Sequence, residues 1–564
     1  MRKKILEFAR LNPGFLFLAA YGIFSAFYKT AGSFATDEAI YGQVARESLL
    51  SHSFLILHWQ GLLWFEKPPL FIWLTALAFK LFGFSEAAAR VFPGLFSLAS
   101  TAILYFLARD IFKSKMAGFF SGFIFLTIPL IHLYSRSAMM DIPVGTFDIL
   151  TVWGIWKIFH GETKWWLTVG LSLGLSVMTK SVVGFLPLAL FPLMSIVLKK
   201  YNIYEERYFW KGLGVFFLIS LPWHAYMTWR YGQTFWDIYL GFHVFSRFFR
   251  PILPHPWQNN SPWAYFTLLE ERSGLWIWVF LILTSALLGI FFISIRNKKF
   301  NPENVISQEF ISWAKENKKG WFFLYGWLLI VFLPFLLAET KLPNYMVLVY
   351  YPLSILTGGF LAYLFKRSKP ISLFLLAAGS LLNFLPELRL RTSDFGEAHI
   401  FFPESLIHFL HFGNLGSEAA LAAEIAALLV FFRHYRSRKN YLKNAALAAI
   451  IGMNLLVPFS PLRNEFIKKL AGDINGYTQN RPIVLYIIAQ SDYYAFNCVS
   501  PFYLPPGSRV KNVNEQSAEI IPKQSADRNS FCFFEKNFLG KNIAEQSLKR
   551  YQYGALVGCR AKNF

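Results

Sequence analysis

Charged residues are scarce in this 564-residue chain: they make up 16% of it, against about 25% in ordinary soluble domains. Hydrophobic residues make up 55%, in long runs that contain few charges. Apolar runs of about 20 residues are typical of membrane-spanning helices. The composition therefore excludes a soluble globular protein and predicts an all-α protein that spans the membrane many times.

Cysteine is also scarce, and its three residues lie near the C-terminus, at Cys498, Cys532 and Cys559. They form no C-x-x-C or zinc-finger spacing. In an oxidising compartment we expect one disulfide and one remaining thiol, and the sequence leaves open which pair joins. A phosphate-binding P-loop and a G-x-G-x-x-G motif are missing from the predicted inner loops, so no nucleotide cofactor is expected.

The charges that are present are mainly basic, with 55 Lys and Arg against 33 Asp and Glu, a net charge of +22. Such an excess indicates either nucleic-acid binding or basic cytoplasmic loops of a membrane protein. The basic clusters recur on alternate loops between apolar runs, at residues 109–115, 157–164, 199–211, 296–319, 366–369 and 433–443. This alternation favours the membrane protein, with a cytoplasmic N-terminus and no nucleic-acid partner.

The segments between the basic loops are predicted to lie outside the cytoplasm. They comprise residues 29–89, 135–142, 227–273 and 339–344, and the alternation gives about thirteen spans. The apolar run 68–84 would break the alternation if it crossed, so we predict a membrane-surface or re-entrant helix there. We predict a transmembrane domain over residues 1–459 and a small soluble α/β domain outside over residues 460–564.

Acidic and basic residues in outer loops or at span ends require a functional explanation by default. Asp37 and Glu38 directly follow the first apolar run, where helix capping is the alternative explanation for the aspartate. Glu66 and Lys67 precede a double proline, where interfacial anchoring is the alternative. Asp141 stands between two spans, and Pro143 two residues later also agrees with a helix cap.

Two further pairs are spaced four residues apart; on a helix, the first pair would share one face, and the second pair straddles Pro343 at the end of a span. They are His243 with Arg247, and Lys341 with Tyr345; for a single lysine, snorkelling is the alternative. Together the outer motifs supply carboxylates for base or metal chemistry and Lys, Arg and Tyr side chains that bind phosphate.

Six motifs then occur in a fixed order over about the first 360 residues: TDEAIYGQVARESL, WFEKPPLFIW, SRSAMMDIP, MTKSVVGFLP, GFHVFSRF with a later PHPW, and TKLPNYMVLVYYP. In this order they resemble the membrane glycosyltransferases of the GT-C fold. The sequence is most similar to the lipid A aminoarabinose transferase group and more distantly similar to the protein O-mannosyltransferases.

The resemblance implies an integral-membrane glycosyltransferase of the inner or plasma membrane. Such an enzyme transfers a sugar, with inversion, from a polyprenyl-phosphate carrier to an acceptor outside the cytoplasm. The acceptor is lipid A, another envelope glycolipid, a polysaccharide or a protein.

The resemblance also implies roles for single residues. Asp37 is implied to be the general base or an acceptor-binding carboxylate, Glu38 matches the second acidic residue of the mannosyltransferase branch, and Asp141 is a further active-site carboxylate. The carrier phosphate is implied to be held by Lys67, Arg247, Lys341 and Tyr345. Glu66 and His243 are the candidate pair for a divalent metal ion. One departure is that the TKG of the family is Thr179-Lys180-Ser181 here.

The alternative hypothesis is a transporter or lipid flippase, which requires ionisable residues near the bilayer midplane and repeat symmetry. In the sequence the charges lie mainly at span ends, which favours the enzyme.

Overall fold

The computed structural model describes residues 12–27, 30, 32–198, 206–250, 264–273, 275–296, 308–367, 468–475, 484–488, 501–506, 508–512, 530–535, 549–551 and 554–558. The spans predicted between residues 368 and 467, the PHPW motif, Cys498 and Cys559 lie outside these residues.

Apolar runs form helices in this chain because a bilayer requires every backbone group to be hydrogen-bonded within its own segment. The first nine helices are α1 Pro13–Phe27, α2 Thr36–Ser51, α3 Leu70–Phe82, α4 Glu86–Ala89, α5 Val91–Phe112, α6 Lys115–Thr127, α7 Pro129–Ser135, α8 Asp141–Phe159 and α9 Trp166–Lys180. The next eight are α10 Leu190–Leu198, α11 Arg207–Trp236, α12 Arg247–Phe249, α13 Ala264–Ser273, α14 Leu275–Arg296, α15 Gln308–Glu316, α16 Lys318–Leu337 and α17 Tyr350–Arg367.

Within the described residues, five helical stretches are long and apolar enough to cross a membrane. They are Glu86–Phe112, Asp141–Phe159, Thr163–Leu198, Lys318–Leu337 and Pro343–Arg367. The pair α6 and α7 qualifies as a sixth if it is one span, although it bends by 73° at the break. Pro129 begins α7 and has no backbone N–H to continue the preceding helix, which explains a break at this point.

Helix α3 occupies the apolar run that was predicted not to cross the membrane. Its 13 residues extend about 20 Å, which is shorter than the hydrocarbon core of a bilayer. One face, which includes Phe71 and Phe79, is buried, whereas Leu77 and Leu81 on the opposite side are exposed. The helix is thus too short to cross a bilayer by itself, and its surface or re-entrant position stays a prediction.

The chain divides into two compact units. The first contains residues 1–28, 93–136 and 140–458, and the second contains residues 29–92, 137–139 and 459–564. The domain boundary predicted between residues 459 and 460 stays a prediction, because residues 368–467 lie outside the described part of the chain. The second unit also takes in residues 29–92, which include the segment predicted to lie outside the cytoplasm after α1, and residues 137–139 ahead of Asp141.

The first unit is a helical bundle with a continuous apolar core. Its largest fully buried side chains include Trp276 and Trp327. Helices α9 and α11 approach so closely that a Cβ atom added at Gly170 would lie 1.9 Å from the carbonyl oxygen of Gly212. Glycine at this crossing lets the two backbones touch, as is common where membrane helices pack.

The second unit combines α2, α3 and α4 with two sheets. The small sheet is an antiparallel hairpin of β1 His58–Trp59 and β2 Leu62–Leu63. The larger sheet contains β3 Val484–Ile488, β4 Arg509–Asn512, β5 Ser530–Glu535, β6 Lys549–Tyr551 and β7 Gly554–Gly558. Its strand order is β4-β3-β5-β7-β6, with β3 parallel to β4 and β5 and the remaining pairs antiparallel. All five strands of the larger sheet lie within residues 460–564, the segment predicted to form a small α/β domain.

Candidate active site

Glu38 is a buried carboxylate in the first turn of α2, with its side chain 1% exposed. Oε1 accepts hydrogen bonds from Arg90 Nε at 2.8 Å and from the Ala138 backbone N–H at 2.6 Å. Oε2 accepts from Arg90 Nη2 and from the Ala35 backbone N–H, both at 2.8 Å. Because Ala35 is the N-cap residue, the last contact is the reach-back half of a capping box. Glu38 therefore fixes the point at which α2 begins.

Asp37 lies beside Glu38 at the second position of α2 and is half-buried. The N-cap of this helix is Ala35, so Asp37 does not cap it. A carboxylate in the first turn of a helix is stabilised by the positive end of the helix dipole. The position of Asp37 is thus compatible with an ionised group, and its catalytic role stays a prediction.

Glu66 and Lys67 also belong to the second unit. The Lys67 Nζ atom lies 3.2 Å from Glu66 Oε1, and the two side chains are only 12% and 20% exposed, respectively. Trp64, two residues earlier, packs edge to face against Tyr41 of α2, with ring centroids 6.2 Å apart. The FEKPP motif is therefore packed against the helix that carries Asp37.

Asp141 begins α8 in the first unit and is 2% exposed. Its Oδ1 atom forms an ion pair with Lys180 Nζ and accepts a hydrogen bond of 3.3 Å from Asn344 Nδ2. Its Oδ2 atom is buried and has no hydrogen-bond partner among the described residues. The N-cap of α8 is Met140, so helix capping by Asp141 does not explain this arrangement.

Lys180 belongs to the MTKS motif and contacts residues of two other sequence motifs. It ends α9 and pairs with Asp141, and its ammonium lies 5.7 Å from the ring centroid of Tyr345. Tyr345 in turn stacks on Phe335, at 5.0 Å between ring centroids. The SRSAMMDIP, MTKS and KLPNY motifs therefore meet in the first unit around one buried ion pair.

Two of the three segments predicted to hold the carrier phosphate are joined through their backbones. The Thr340 N–H donates to the Arg247 carbonyl at 3.2 Å, and the Glu339 N–H donates to the Phe248 carbonyl at 2.9 Å. The Thr340 hydroxyl donates to the Arg250 carbonyl at 3.1 Å. These bonds place Arg247 and the segment that carries Lys341 and Tyr345 at one site.

Lys341 is 9% exposed, and its ammonium already donates hydrogen bonds to the protein backbone. Its Nζ donates to the carbonyls of Leu336 and Ala338, at 2.9 and 2.6 Å. The ammonium thereby caps the C-terminal end of α16. The ammonium also lies 5.2 Å from the ring centroid of Tyr265. Burial lowers the pKa of Lys341, and the Glu339 carboxylate offsets part of that effect.

His243 lies in a π-helix over Asp237–Ser246, which leads directly into Arg247. The π-helix is rare in proteins, and many of its known examples lie at functional sites. Among the described residues, however, no group of three or more His, Cys, Asp or Glu side chains converges to hold a metal ion. Glu66 is also paired with Lys67, so these donors do not fit a metal site made by the protein alone.

The sequence motifs identified the acidic residues but not all of their partners. Arg90, Lys180 and Asn344 contact Glu38 or Asp141 from positions 52, 39 and 203 residues away. The MTKS motif pointed to Lys180 without giving it a role. For Arg90 the available signal was its position at the start of an apolar run, where a charge requires a partner.

Comparisons with known proteins show which families this chain resembles. Residues 66–226 match the sequence model of the dolichyl-phosphate-mannose-protein mannosyltransferase family. The chain is 27% identical over 359 residues to undecaprenyl phosphate-alpha-4-amino-4-deoxy-L-arabinose arabinosyl transferase 1 of Pseudomonas fluorescens, which covers 61% of this chain and 58% of the relative. It is 28% identical over 335 residues to the corresponding transferase of Enterobacter sp., covering 57% and 54%. The chain thus matches somewhat over half the length of these curated relatives.

The structural likeness extends over nearly the whole chain. The crystal structure of ArnT from Cupriavidus metallidurans bound to undecaprenyl phosphate superposes with a TM-score of 0.68, covering 97% of this chain and 98% of that one at 18% identity. The apo structure of the same protein gives 0.67. The chain therefore has the helical, multi-spanning GT-C fold, and it resembles the membrane glycosyltransferases of the aminoarabinose transferase and protein O-mannosyltransferase group.

Proposed function

We propose that this protein is an integral-membrane glycosyltransferase that moves a sugar from a polyprenyl-phosphate carrier to an acceptor outside the cytoplasm, with inversion. The observation that carries the proposal is the match of 97% of the chain to a structure bound to undecaprenyl phosphate. The proposal includes about thirteen spans, a cytoplasmic N-terminus and an external C-terminal segment, following the charge alternation.

Asp37 is proposed as the general base. The acceptor hydroxyl gives its proton to the Asp37 carboxylate as its oxygen forms a bond to the anomeric carbon of the sugar. The bond from that carbon to the carrier phosphate oxygen breaks at the same time, and the phosphate leaves with the electron pair. A single displacement of this kind inverts the anomeric centre and needs no second nucleophilic carboxylate.

The carrier phosphate is proposed to bind Arg247, Lys341, Tyr345 and Lys67. Negative charge develops on the leaving oxygen in the transition state, and fixed cationic donors stabilise it more than they stabilise the bound substrate. An ammonium has three N–H donors, and two of those of Lys341 are used by carbonyls. The third is then available to the phosphate, with its direction set by the two existing bonds.

Asp141 is proposed to contact the sugar or the acceptor. A buried carboxylate oxygen without a partner is costly unless a ligand supplies the missing hydrogen bond. Asp141 Oδ2 has this character, and Lys180 holds the other oxygen in place.

A divalent metal ion at Glu66 and His243 stays a prediction from the sequence, and no step of the proposed mechanism uses it. Treating the purified protein with EDTA and then restoring Mg²⁺ or Mn²⁺ tests this prediction. Loss of transfer that is restored by the metal supports the site, and unchanged transfer contradicts it.

The proposal is tested with the purified full-length protein, a synthetic polyprenyl-phosphate sugar and envelope lipid extract. We expect release of free polyprenyl phosphate that depends on the acceptor, and Asp37→Asn should lower kcat by about a thousandfold because the base is lost. Asp237→Asn is the matched control, since Asp237 is exposed and bonds only Gln233 among the contacts described for it. Full activity of Asp37→Asn contradicts the assignment of the base.

The same assay separates the enzyme from a transporter. One observation relevant to a transporter is Asp148, which is buried seven residues into α8 and accepts a hydrogen bond of 2.6 Å from Ser176. A transporter moves its substrate intact, whereas the proposed enzyme releases polyprenyl phosphate without any gradient. Mass spectrometry of glycolipids, polysaccharides and glycoproteins from cells with and without the protein then identifies the acceptor class.

A further inference from the structure

We infer that Glu38 and Arg90 act as one positioning pair for Asp37, and that Glu38 does not itself react with substrate. The inference rests on the proposed role of Asp37 as the base. It assigns Arg90 a role in the reaction and changes the role expected for Glu38 from a catalytic carboxylate to a support for its neighbour.

The first argument is that the Glu38 carboxylate has no free acceptor position. An ionised carboxylate offers about four lone-pair sites, two on each oxygen. Arg90 Nε and the Ala138 N–H take the two sites on Oε1, and Arg90 Nη2 and the Ala35 N–H take the two on Oε2. All four donors lie within 2.6 to 2.8 Å, so neither a substrate proton nor a metal ion has a vacant site there.

The second argument is that the Arg90 guanidinium is equally saturated. Its five N–H donors comprise one on Nε and two on each Nη. Nη1 donates to the carbonyls of Thr30 and Gly32, at 2.7 and 2.6 Å. Nη2 donates to the Ser33 carbonyl at 3.0 Å in addition to Glu38. With Nε bonded to Glu38, all five donors are used, and the side chain is fully buried.

The third argument concerns what the saturated pair holds. Arg90 binds three carbonyls between residues 30 and 33, and its guanidinium carbon lies 5.4 Å from the ring centroid of Phe34. Glu38 binds the N–H of residue 35. The backbone is therefore fixed on both sides of Asp37, which lies one residue before Glu38. Since small displacements of a reacting group slow catalysis strongly, this fixation sets the direction of the Asp37 carboxylate.

The choice of arginine also follows from this geometry. Lysine carries the same charge but has three N–H donors on a single atom, so it cannot form the forked pair with Glu38 and also hold three carbonyls. If charge alone mattered, lysine would serve. If the forked geometry matters, lysine fails although the ion pair is kept.

The experiment compares Glu38→Gln, Arg90→Lys and the double variant in the full-length protein, with kcat and donor KM measured separately. We expect each single variant to lower kcat about 100-fold with donor KM changed less than about threefold, because Asp37 is displaced while the carrier site is intact. The double variant should be no slower than the slower single variant, because the two residues act as a unit.

Glu47→Gln is the matched control in the same helix. The Glu47 carboxylate accepts hydrogen bonds from Gln43 and from the backbone N–H groups of Gln60 and Gly61, and it belongs to neither the pair nor the proposed site. We expect its kcat to stay within about twofold of that of the parent protein. This control separates loss of the Glu38 pair from loss of any hydrogen-bonded glutamate in α2.

Should Glu38→Gln fail to fold, Glu38→Asp keeps the charge and shortens the side chain by one methylene. We expect kcat of this variant to fall about tenfold with donor KM unchanged. The inference is overturned if Arg90→Lys keeps nearly full kcat, if the two single effects multiply in the double variant, or if Glu38→Asp is fully active. Activity of Asp37→Asn contradicts the proposed base instead, so failure of the inference and failure of the proposed function give different results.

Discussion

The two units each contain a buried carboxylate at the start of a helix, and the two carboxylates differ in what remains available. Glu38 in the second unit accepts four hydrogen bonds from protein donors. Asp141 in the first unit has Lys180 and Asn344 on one oxygen, and its other oxygen has no hydrogen-bond partner in the described part of the chain. Equal burial therefore accompanies different hydrogen bonding: protein donors saturate the Glu38 carboxylate, whereas they leave one oxygen of Asp141 without a hydrogen bond in the described part of the chain.

The largest effect is expected from Asp141→Asn. This substitution removes the negative charge and replaces one carboxylate oxygen with an amide nitrogen. We expect kcat to fall about a thousandfold, because the ligand contact and the ion pair with Lys180 are both altered. Asp237→Asn is the control, since Asp237 is exposed and accepts a hydrogen bond only from Gln233 among the contacts described for it. A near-normal kcat for Asp141→Asn would contradict the proposal that Asp141 Oδ2 binds the sugar or the acceptor.

A smaller effect is expected when only the partner of Asp141 is removed. Lys180→Met leaves a buried carboxylate without its cation, and such a change costs about 3 kcal/mol of unfolding free energy. The double variant Lys180→Met with Asp141→Asn should lose less stability than Lys180→Met alone, because no unpaired charge remains. Chemical denaturation in detergent measures both. Additive losses would contradict the pairing, and Lys80→Met, at an exposed site, is the control.

The smallest effect concerns the residue after Lys180. Ser181 has φ 59° and ψ −134°, a backbone conformation that only glycine adopts without strain. Ser181→Gly should therefore raise the unfolding free energy by about 1 kcal/mol. Ser195→Gly lies inside helix α10 and should lower it by a similar amount, since glycine is unfavourable in a helix. A loss of stability in Ser181→Gly would mean that the serine side chain outweighs the strain.

Sequence patterns predicted the parts of the structure that depend on local chemistry. Apolar runs predicted membrane-spanning helices, and five helical stretches in the described part of the chain are long and apolar enough to cross. The break in the alternation of basic loops singled out the run that forms the short helix α3. Acidic residues beside the spans led to Asp37, Glu38 and Asp141. These features can be predicted from the sequence because the hydropathy and charge of a residue favour water or lipid independently of distant residues.

The role of each acidic residue was harder to predict from the sequence. Glu38 and Asp37 are adjacent and chemically similar, and both were expected to be catalytic from the resemblance. The difference comes from Arg90, which reaches Glu38 from 52 residues away and satisfies it. Whether a carboxylate is saturated depends on which donors packing brings to it, and neither spacing nor composition contains that information.

The sequence by itself determined that the protein is a helical membrane protein, that basic clusters alternate between its apolar runs, and which motifs near the ends of those runs carry ionisable groups. These features follow from the transfer of side chains between water and lipid. The tertiary structure decided which charges neutralise each other. Arg90 and Lys180 became the partners of Glu38 and Asp141 through helix packing, since a buried charge needs a donor within hydrogen-bonding distance wherever that donor lies in the chain.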